Sequence, residues 1–539
     1  MFMPICIKKY IKRVKICLAV ILIFAGTASA GTREIVYNLG VDPRTIDPFL
    51  NTALDGSIVD VAIFDCLVRR GFNDKIEPSC AESWDVSPDG LTWKFYLRDN
   101  LKWSDGEKLT SKHFKDGFLH LLEPETASPY AHHGFFIKNA EKFYNGQAKS
   151  EEVGLETPDE KTFIIKLEYK NPLMLYYMAS RTFAPVRIEL VSKNPRGWAA
   201  KPENLITNGA FILSKWKHGN GGEIILLKNN NYWDAENVKI DKLRFVFIND
   251  TNTALAAFKA GKIDYIGSIP TRILPALLKS GEAKALPAFA TSFIEFNTSC
   301  KPFNDARVRL AFSLAIDRSI ITDKLLKSGE KPATGLVSYL VPGSTDSEDF
   351  RTEGGAFLSV SADVEQARKF LSEAGYPNGA NFPEISLKYS SKPGSNMFAE
   401  VLQNMWKQVL GVKVNLVNEE WKVYLNSMYT GDYDMCMKNW ILDFPDASNI
   451  LELYESDSPQ NPLHWKDAEF DELMNKAALE MDRAKRINYL HEAEKIFMRE
   501  MPSAPLYFMS LAEMKSDRVK NIYRSPSGLI FFRMAEIVE

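Results

Sequence analysis

The sequence predicts an α/β protein with more than one domain, and two observations support this. Segments with the two-residue alternation of strands take turns with segments of helical period through two large blocks of the chain. At 539 residues the chain is too long for one hydrophobic core, and about 150 residues per domain gives two to four domains. Its 45% hydrophobic and 25% charged residues are ordinary for a folded globular protein.

Residues 1–30 differ from the rest of the chain. Lys8, Lys9, Lys12, Arg13 and Lys15 precede the apolar run 16–25, and small residues follow it up to position 30. This order predicts an exported protein with a signal peptide cleaved near Ala30, an uncleaved N-terminal anchor being the alternative. Without these residues the net charge changes from −3 to −8, which disfavours a nucleic-acid or anionic-membrane partner.

Strands and helices follow from local pattern. Strands are predicted at 33–38, on both sides of the turn 88–90, and at 162–167, 223–228, 243–248, 412–416 and 433–441. Helices are predicted at 57–68 with Ser57 as cap, from Thr110 or Ser111 onward, at 253–260, at 361–374 with Val364, Ala367, Leu371 and Ala374 inward, and from Trp421 to Met428. In the hairpin around 88–90, Trp93, Phe95 and Leu97 alternate onto one face.

Four cysteines lie outside the first thirty residues: Cys66, Cys80, Cys300 and Cys436. None has the C-x-x-C spacing of a redox or zinc site. They are either small buried residues or include one disulfide, with Cys66 and Cys80 closing the shortest loop.

Asp443 is the first candidate for a binding residue. It follows the predicted strand 433–441, lies between Leu442 and Phe444, and precedes Pro445, which ends strand pairing. A carboxylate held among apolar groups is poorly solvated and gains most from a bound cation such as an α-amine. The alternative is an ordinary solvated turn residue.

The stretch from Ala81 to Phe114 carries the most specific pattern in the chain. It contains Ala81-Glu-Ser-Trp84, Asp89-Gly-Leu-Thr-Trp-Lys-Phe-Tyr-Leu-Arg98 and Trp103-Ser-Asp-Gly106. This order resembles the family-5 extracellular solute-binding proteins of ABC transporters, the oligopeptide- and dipeptide-binding group. Further matching segments occur at 127–130, 207–211, 231–234, 303–309, 315–318, 374–376 and 417–421, so the resemblance spans about residues 33 to 510.

The resemblance implies a two-lobed periplasmic-binding-protein fold of type II, cluster C. Lobe 1 is expected to comprise residues 31–64, 188–289 and 508–539, with an extra subdomain at 65–187, and lobe 2 residues 290–507. Chain crossings between the lobes then act as a hinge that closes over a ligand.

The resemblance also implies which residues bind. The family holds the amino end of a peptide with an Asp at the end of a strand that contains a Trp, which here gives Asp443 and Trp440. Backbone of Asn439 to Ile441 on one side, and of Thr52, Ala53 and Leu54 on the other, is expected to enclose the ligand main chain. Trp421 and Tyr130 match pocket aromatics, with core packing as the alternative for Trp421 and Trp440.

One part of the implied site departs from its relatives. Enterobacterial oligopeptide binders carry basic residues at the positions of Met428 and Met437 and a histidine near Ser395, which help to neutralise the ligand's carboxyl end. This chain therefore takes a ligand of different length, takes one with a modified carboxyl end, or uses another cation such as Lys438. The two methionines make that part of the cavity apolar and adaptable.

The expected function is that of a monomeric periplasmic receptor that captures peptides and delivers them to an inner-membrane ABC transporter permease. No cofactor or metal is expected, because the seven histidines form no H-E-x-x-H, and G-x-S-x-G, P-loop and G-x-G-x-x-G motifs are missing from the sequence. The alternatives are a non-peptide ligand, such as a metal chelate, haem or opine, and an exported hydrolase.

Overall fold

The structure is a computed structural model that describes residues 32–219, 221–392 and 394–538. The predicted signal peptide, residues 1–30, lies outside these ranges. Within them, no helix combines the length and apolar character needed to cross a membrane.

The strands fall into one large and several small sheets. They are β1 (Glu34–Asn38), β2 (Val68–Arg70), β3 (Ile76–Pro78), β4 (Ala81–Val86), β5 (Thr92–Leu97), β6 (Leu155–Asp159), β7 (Thr162–Lys166), β8 (Phe211–Lys217), β9 (Glu223–Lys228), β10 (Lys242–Val246), β11 (Tyr265–Ile266), β12 (Lys284–Phe296), β13 (Lys331–Pro332), β14 (Ile385–Ser390), β15 (Val414–Glu419), β16 (Met435–Ile441), β17 (Ser503–Lys515), β18 (Val519–Lys520), β19 (Tyr523–Arg524), β20 (Ile530–Phe531) and β21 (Glu536–Ile537).

Helices separate most of these strands. They are α1 (Leu54–Ile63), α2 (Ser111–Leu122), α3 (Ala140–Tyr144), α4 (Met174–Met178), α5 (Ile188–Val191), α6 (Thr251–Lys259), α7 (Leu274–Ser280), α8 (Ala306–Leu314), α9 (Phe350–Gly354), α10 (Val364–Glu373), α11 (Ser395–Leu410), α12 (Trp421–Thr430), α13 (Ser448–Leu451), α14 (Ala468–Leu479) and α15 (Arg483–Glu500). Short 3₁₀ turns include Ala131–Gly134 and Arg181–Phe183, and Ile320–Leu326 is a π-helical turn.

The largest sheet has the strand order β15-β14-β16-β12-β17-β11-β1-β10-β9-β8, with β13 added to β17. Strands β12 and β17 have thirteen residues each and pair antiparallel on both sides of an irregularity between Pro287 and Thr291. One end of this pair joins β16 and the other joins β11. The two strands therefore connect two parts of the molecule through continuous backbone.

Two large hydrophobic cores lie on either side of this connection. The first half has a core drawn from residues 35–265 and 519–535, and the second half has one drawn from residues 289–506. The antiparallel sheet β4-β5-β7-β6 lies within the predicted subdomain 65–187, and its side chains belong to the core of the first half. The predicted domain limits stay a prediction.

Most predicted elements in this framework are present. In the hairpin of β4 and β5, Trp93, Phe95 and Leu97 are buried on one face, as their alternation predicts. Helix α2 begins where expected, because the Thr110 N–H donates to Nδ1 of His113 at 3.0 Å.

Two local predictions are wrong. Helix α1 begins at Leu54 and ends at Ile63, so Ser57 is not its cap; instead the Ser57 hydroxyl donates to the Ala53 carbonyl at 2.7 Å inside the first turn. In α10, Ala367 and Leu371 are buried as predicted, but Val364 is 37% exposed because it is the first helical residue.

Candidate ligand-binding crevice

Strand β16 is paired on one side only over most of its length. It runs antiparallel to β12 from Met435 to Ile441, whereas β14 pairs with it at Met435 and Cys436 alone. Beyond Cys436, no other strand of the described residues covers the second side.

The register decides which backbone groups face that uncovered side. The Leu442 N–H donates to the Phe289 carbonyl at 2.8 Å, and the Asn297 N–H donates to the Asp434 carbonyl at 2.9 Å. Hydrogen bonds alternate along an antiparallel pair, so the even-numbered residues of β16 bond to β12. The odd-numbered residues turn their N–H and C=O groups away from β12.

Among these odd-numbered residues, Met437 is already engaged, because its carbonyl accepts a hydrogen bond from the Tyr424 hydroxyl. The backbone groups of Asn439 and Ile441 have no partner among the described residues, and both residues are exposed, Ile441 by 53%. We call these backbone groups the open edge. An extended chain can pair with such groups as an added strand.

Asp443 lies at the end of this edge. Its flanking residues Leu442 and Phe444 are buried, while the Asp443 side chain is accessible to solvent. Its carboxylate has no hydrogen-bond partner among the described residues. Its backbone carbonyl accepts a 2.9 Å bond from Arg70 of the first half, so this residue lies where the two halves meet.

The charge on Asp443 is poorly solvated although water reaches it. Desolvation by the surrounding protein raises the pKa of Asp443 above its usual value, and the positive charges of Arg181, Arg70 and His132 oppose that rise. An accessible carboxylate without a bonded partner is suited to receive an amine.

Asn449 holds Asp443 in place. This buried side chain accepts the Asp443 N–H at 3.0 Å and the indole N–H of Trp440 at 3.2 Å through the same oxygen. Its amide group donates to Glu452 at 3.1 Å. Burial, followed by the charges of Glu455, Asp446 and Asp443, raises the pKa of Glu452 to about 8. We call Asp443, Asn449 and Glu452 the acidic end.

The predicted backbone contacts of Thr52, Ala53 and Leu54 with a ligand stay a prediction, and in the structure this segment is the loop that leads into α1. The Ala53 N–H donates to the Asn51 side chain at 2.9 Å, and the Ala53 carbonyl accepts from the N–H and hydroxyl of Ser57. Leu54 is the first residue of α1. Both backbone groups of Ala53 are therefore satisfied inside the loop, whereas the exposed Thr52 has no backbone hydrogen bond among the described residues.

Arg181 fixes this loop and lies beside Tyr130. It donates to the Asn51 carbonyl at 2.8 Å, and its nearest carboxylate is the buried Asp60 at 3.3 Å. The Arg181 guanidinium lies 5.7 Å from the ring centre of half-buried Tyr130. Tyr130 thus belongs to the first-half wall near Asp443, whose pKa Arg181 also affects.

A large cavity of about 910 Å³ borders the open edge. Five of the predicted site residues line it: Trp421, Met428, Met437, Asn439 and Ile441. Trp440, Asp443, Ala53, Leu54 and Tyr130 are not among its lining residues; Trp440 turns to the opposite face of β16 and packs against the second core. The first half contributes Thr271, Arg272 and Pro275, so the cavity lies between the halves.

Lys438 lines this cavity but is not a free cation, contrary to the suggestion from sequence. Its ammonium group pairs with Glu295 at 3.0 Å, and both side chains are buried. Sequence reasoning missed two other basic residues that line the cavity, Arg272 and Lys392. They come from separate segments with no recognisable motif, so no local signal identifies them.

The structure does not contain the disulfide that was one alternative for Cys66, Cys80, Cys300 and Cys436. Cys66, Cys80 and Cys436 are buried and Cys300 is exposed, and all four are free. Burial raises the pKa of the Cys66 thiol. These side chains serve as small buried residues at three of the four positions.

Two hydrophobic cores, continuous connecting strands and a crevice between them form a two-lobed α/β architecture of the kind found in solute-binding proteins. The family model described as bacterial extracellular solute-binding proteins, family 5 Middle, matches residues 75–462. The chain therefore belongs to this family of extracellular solute-binding proteins, and its fold is the predicted two-lobed α/β fold.

Two relatives illustrate the range of the family. The oligopeptide-binding protein OppA of Bacillus subtilis is 31% identical over 515 residues, covering 94% of this chain and 93% of the relative. A probable deoxycholate-binding periplasmic protein of Escherichia coli, YgiS, is 32% identical, covering 91% and 90%.

Solved structures agree with the fold. The periplasmic murein tripeptide binding protein MppA in its unliganded open form superposes with a TM-score of 0.81 at 31% identity, covering 95% of this chain and 98% of that one. Haemophilus influenzae OppA in complex with RPPGFSPFR superposes with a TM-score of 0.74 at 27% identity, covering 94% and 99%.

Proposed function

We propose that this chain is a periplasmic receptor that binds short peptides in the crevice and delivers them to an ABC transporter permease of the inner membrane. The open edge of β16, ending at the unpaired carboxylate of Asp443, is the observation that carries the proposal. Backbone pairing is indifferent to side chains, so one edge accepts many peptide sequences.

The position of the carboxylate sets the direction of the peptide. With its α-amine at Asp443, the peptide runs from Ile441 toward Met437, which is antiparallel to β16. Asn439 and Ile441 each offer one N–H and one C=O, and Tyr424 occupies the carbonyl of Met437. Since β14 covers the strand from Cys436 backward, the edge accommodates about three to five ligand residues at about 3.4 Å each.

The remaining parts of the proposal follow from the family. The positively charged N-terminus followed by an apolar run supports export through a cleaved signal peptide. Members of this family are solute-binding proteins, so we propose that the ligand leaves chemically unchanged. We also propose that the receptor acts as a monomer. Incubating the protein with peptides and searching for cleavage products by mass spectrometry tests the first of these points.

The experiment that tests peptide binding uses Asp443→Asn, which removes the charge and keeps the size. Peptides captured from a tetrapeptide library are identified by mass spectrometry, and the best binder is measured by calorimetry with a free and an acetylated amino end. A buried amine left without its partner costs about 3–5 kcal/mol, so we expect the substitution to weaken binding of the free amine roughly a hundred- to several-thousand-fold.

Acetylation provides the matched control. In the wild type it should cost about as much affinity as the substitution, and in Asp443→Asn it should cost little more. Equal affinity of wild type and variant for the free peptide contradicts the role of Asp443.

A non-peptide ligand is the second candidate function. The relative named as probable deoxycholate-binding shows that the family name alone does not decide the ligand. Four methionines line the large cavity, Met397, Met428, Met437 and Met509, and they can also pack against a rigid apolar molecule. Mass spectrometry of ligand released from the native protein separates the two candidates.

A further inference from the structure

A small cavity inside the first half is lined mostly by positive charge. It has a volume of about 40 Å³ and lies between the end of α1, strand β2 and strand β20. Asp65 is the one carboxylate among its lining residues, whereas four of them are arginines: Arg69, Arg70, Arg181 and Arg533. We call it the arginine cavity. Its wall therefore presents more cations than anions.

Arg533 has the weakest compensation of its charge. Its carboxylate partner is Glu77, at 3.8 Å, and its Nη2 donates to the Arg70 carbonyl at 2.9 Å. Its buried Nε has no hydrogen-bond partner among the described residues. Burial, followed by the charge of Arg69, lowers the pKa of Arg533. Because a guanidinium stays charged in proteins, this side chain gains from a nearby anion.

Arg69 and Arg181 leave the same kind of donor free. The buried Nε of each has no hydrogen-bond partner among the described residues. Their nearest carboxylates are Glu77, 3.6 Å from Arg69, and Asp60, 3.3 Å from Arg181, and neither carboxylate lines the cavity. Burial raises the pKa of Asp60 to about 7, so this group compensates Arg181 only in part at neutral pH.

The size of the cavity restricts its occupant. One water needs about 10–15 Å³ of such space, so about 40 Å³ is enough for a monatomic anion and too little for a peptide or a nucleotide. Chloride is only slightly larger than water. Water can accept the free N–H groups, but it brings no negative charge to the guanidinium groups, whereas hydrogen bonds between charged groups are the stronger ones.

We propose that the arginine cavity binds a chloride ion through the guanidinium groups of Arg69, Arg181 and Arg533. The ion offsets charge that the fold has buried, and it stabilises the first half because it binds the folded state alone. It also restrains Arg181, which donates to the Asn51 carbonyl at 2.8 Å in the loop before α1. This inference does not depend on which solute the crevice binds.

Bromide locates the site directly. Crystals of the wild-type protein are grown or soaked in bromide, and anomalous scattering at the bromine absorption edge identifies the bound ions. We expect a peak inside the arginine cavity, within hydrogen-bonding distance of Arg69, Arg181 and Arg533. Bromide peaks confined to the protein surface, with none in the cavity, overturn the proposal.

Thermal unfolding tests the site in solution. Gluconate, which is too large for the cavity, is exchanged for chloride at constant ionic strength. The midpoint of the first unfolding transition of wild type should rise by about 2–4 °C and then saturate. Arg533→Gln, which removes one guanidinium from the site, should lose this rise. Arg44→Gln is the matched control, since Arg44 is an exposed arginine of the first half that does not line the cavity, and it should keep the rise.

Equal chloride dependence of wild type and Arg533→Gln contradicts the assignment, as does a wild type whose midpoint is the same in both salts. If Arg533→Gln does not fold, the bromide map of wild type and its chloride dependence decide the question without the variant. Peptide binding measured in parallel is unaffected as evidence, because failure of the chloride site leaves the open edge and Asp443 as they are.

Discussion

The two ends of the open edge carry opposite charges, and each end has a buried charge in an ion pair and an accessible charge without an ion pair among the described residues. At the acidic end, buried Asp446 forms a 2.6 Å ion pair with Arg486, while Asp443 nearby has no bonded partner for its carboxylate among the described residues. At the cavity end, buried Lys438 pairs with Glu295, while exposed Lys392 lies against an aromatic ring.

At both ends the buried charge is in an ion pair, and the accessible charge has no ion pair among the described residues. Burial alone would raise the pKa of Asp446, but Arg486 and Ser448 hold it below the usual value, so this carboxylate stays charged and paired. Desolvation raises the pKa of Asp443, where no bonded cation compensates. The paired charges are part of the structure, and we propose that the accessible carboxylate of Asp443 binds the positively charged end of a ligand.

The largest expected effect on stability concerns Lys438, the lysine that is paired with Glu295. Lys438→Met leaves Glu295 buried and uncompensated, so we expect the free energy of unfolding to fall by about 3–5 kcal/mol. Lys392→Met removes an exposed lysine and should change it by less than about 0.5 kcal/mol. Urea unfolding of the ligand-free proteins measures both values.

A combined variant controls for side-chain size. Lys438→Met with Glu295→Gln removes both charges, and it should recover part of the lost stability because no unpaired charge stays buried. If Lys438→Met and Lys392→Met destabilise the protein equally, the distinction between the lysine in a buried ion pair and the exposed lysine is wrong.

The next expected effect is on peptide affinity and concerns Asn449, which holds Asp443 at the acidic end. Asn449→Leu keeps most of the volume but leaves the Asp443 N–H and the Trp440 indole without their acceptor. Loss of such buried hydrogen bonds costs about 1–3 kcal/mol, and we expect about tenfold weaker binding of peptides with a free amine. Acetylated peptides should lose less, because they make no ion pair with Asp443.

Calorimetry with both peptide forms measures this selectivity, and circular dichroism checks that the variant is folded. Asn426→Ala is the control, since Asn426 is exposed on α12 and does not line the cavity. An equal loss for free and acetylated peptides would assign Asn449 a structural role alone.

Local features of this comparison could be predicted from the sequence. Strand β16 has nearly its predicted extent, and Asp443 follows it as the pattern of large side chains, aspartate and proline indicates. Both depend on neighbours within ten residues. The hairpin of β4 and β5 is predictable for the same reason, since alternation and a Pro-Asp-Gly turn are local signals.

The pairing of distant charges could not be predicted in this way. Glu295 lies 143 residues from Lys438, and only the register of β12 against β16 brings them together. The hydrogen bonds of the Ala53 backbone could not be predicted either, because its bonds to Asn51 and Ser57 depend on how the loop folds before α1. Lys392 and Arg272 line the same cavity although they come from separate segments of the chain.

The last effect we expect is a pH dependence of stability that originates at the acidic end. The pKa of Glu452 is raised to about 8 from an unfolded value near 4.5, by burial first and then by Glu455, Asp446 and Asp443. Its folded-state pKa lies above the unfolded value, so its contribution to stability is complete below about pH 4.5. That contribution is lost as the pH rises toward 8.

Glu452→Gln removes this titration, so the free energy of unfolding of wild type should fall more between pH 5 and pH 8 than that of the variant. The difference between the two slopes isolates Glu452 from other groups that titrate there, and pKa values near 4.5 and 8 correspond to a difference of about 3–4 kcal/mol over that interval. Glu492→Gln, at an exposed position on α15, should follow the wild-type slope. Parallel curves for wild type and Glu452→Gln would mean that Glu452 is solvated well enough to ionise normally, and the acidic end would then rest on Asp443 alone.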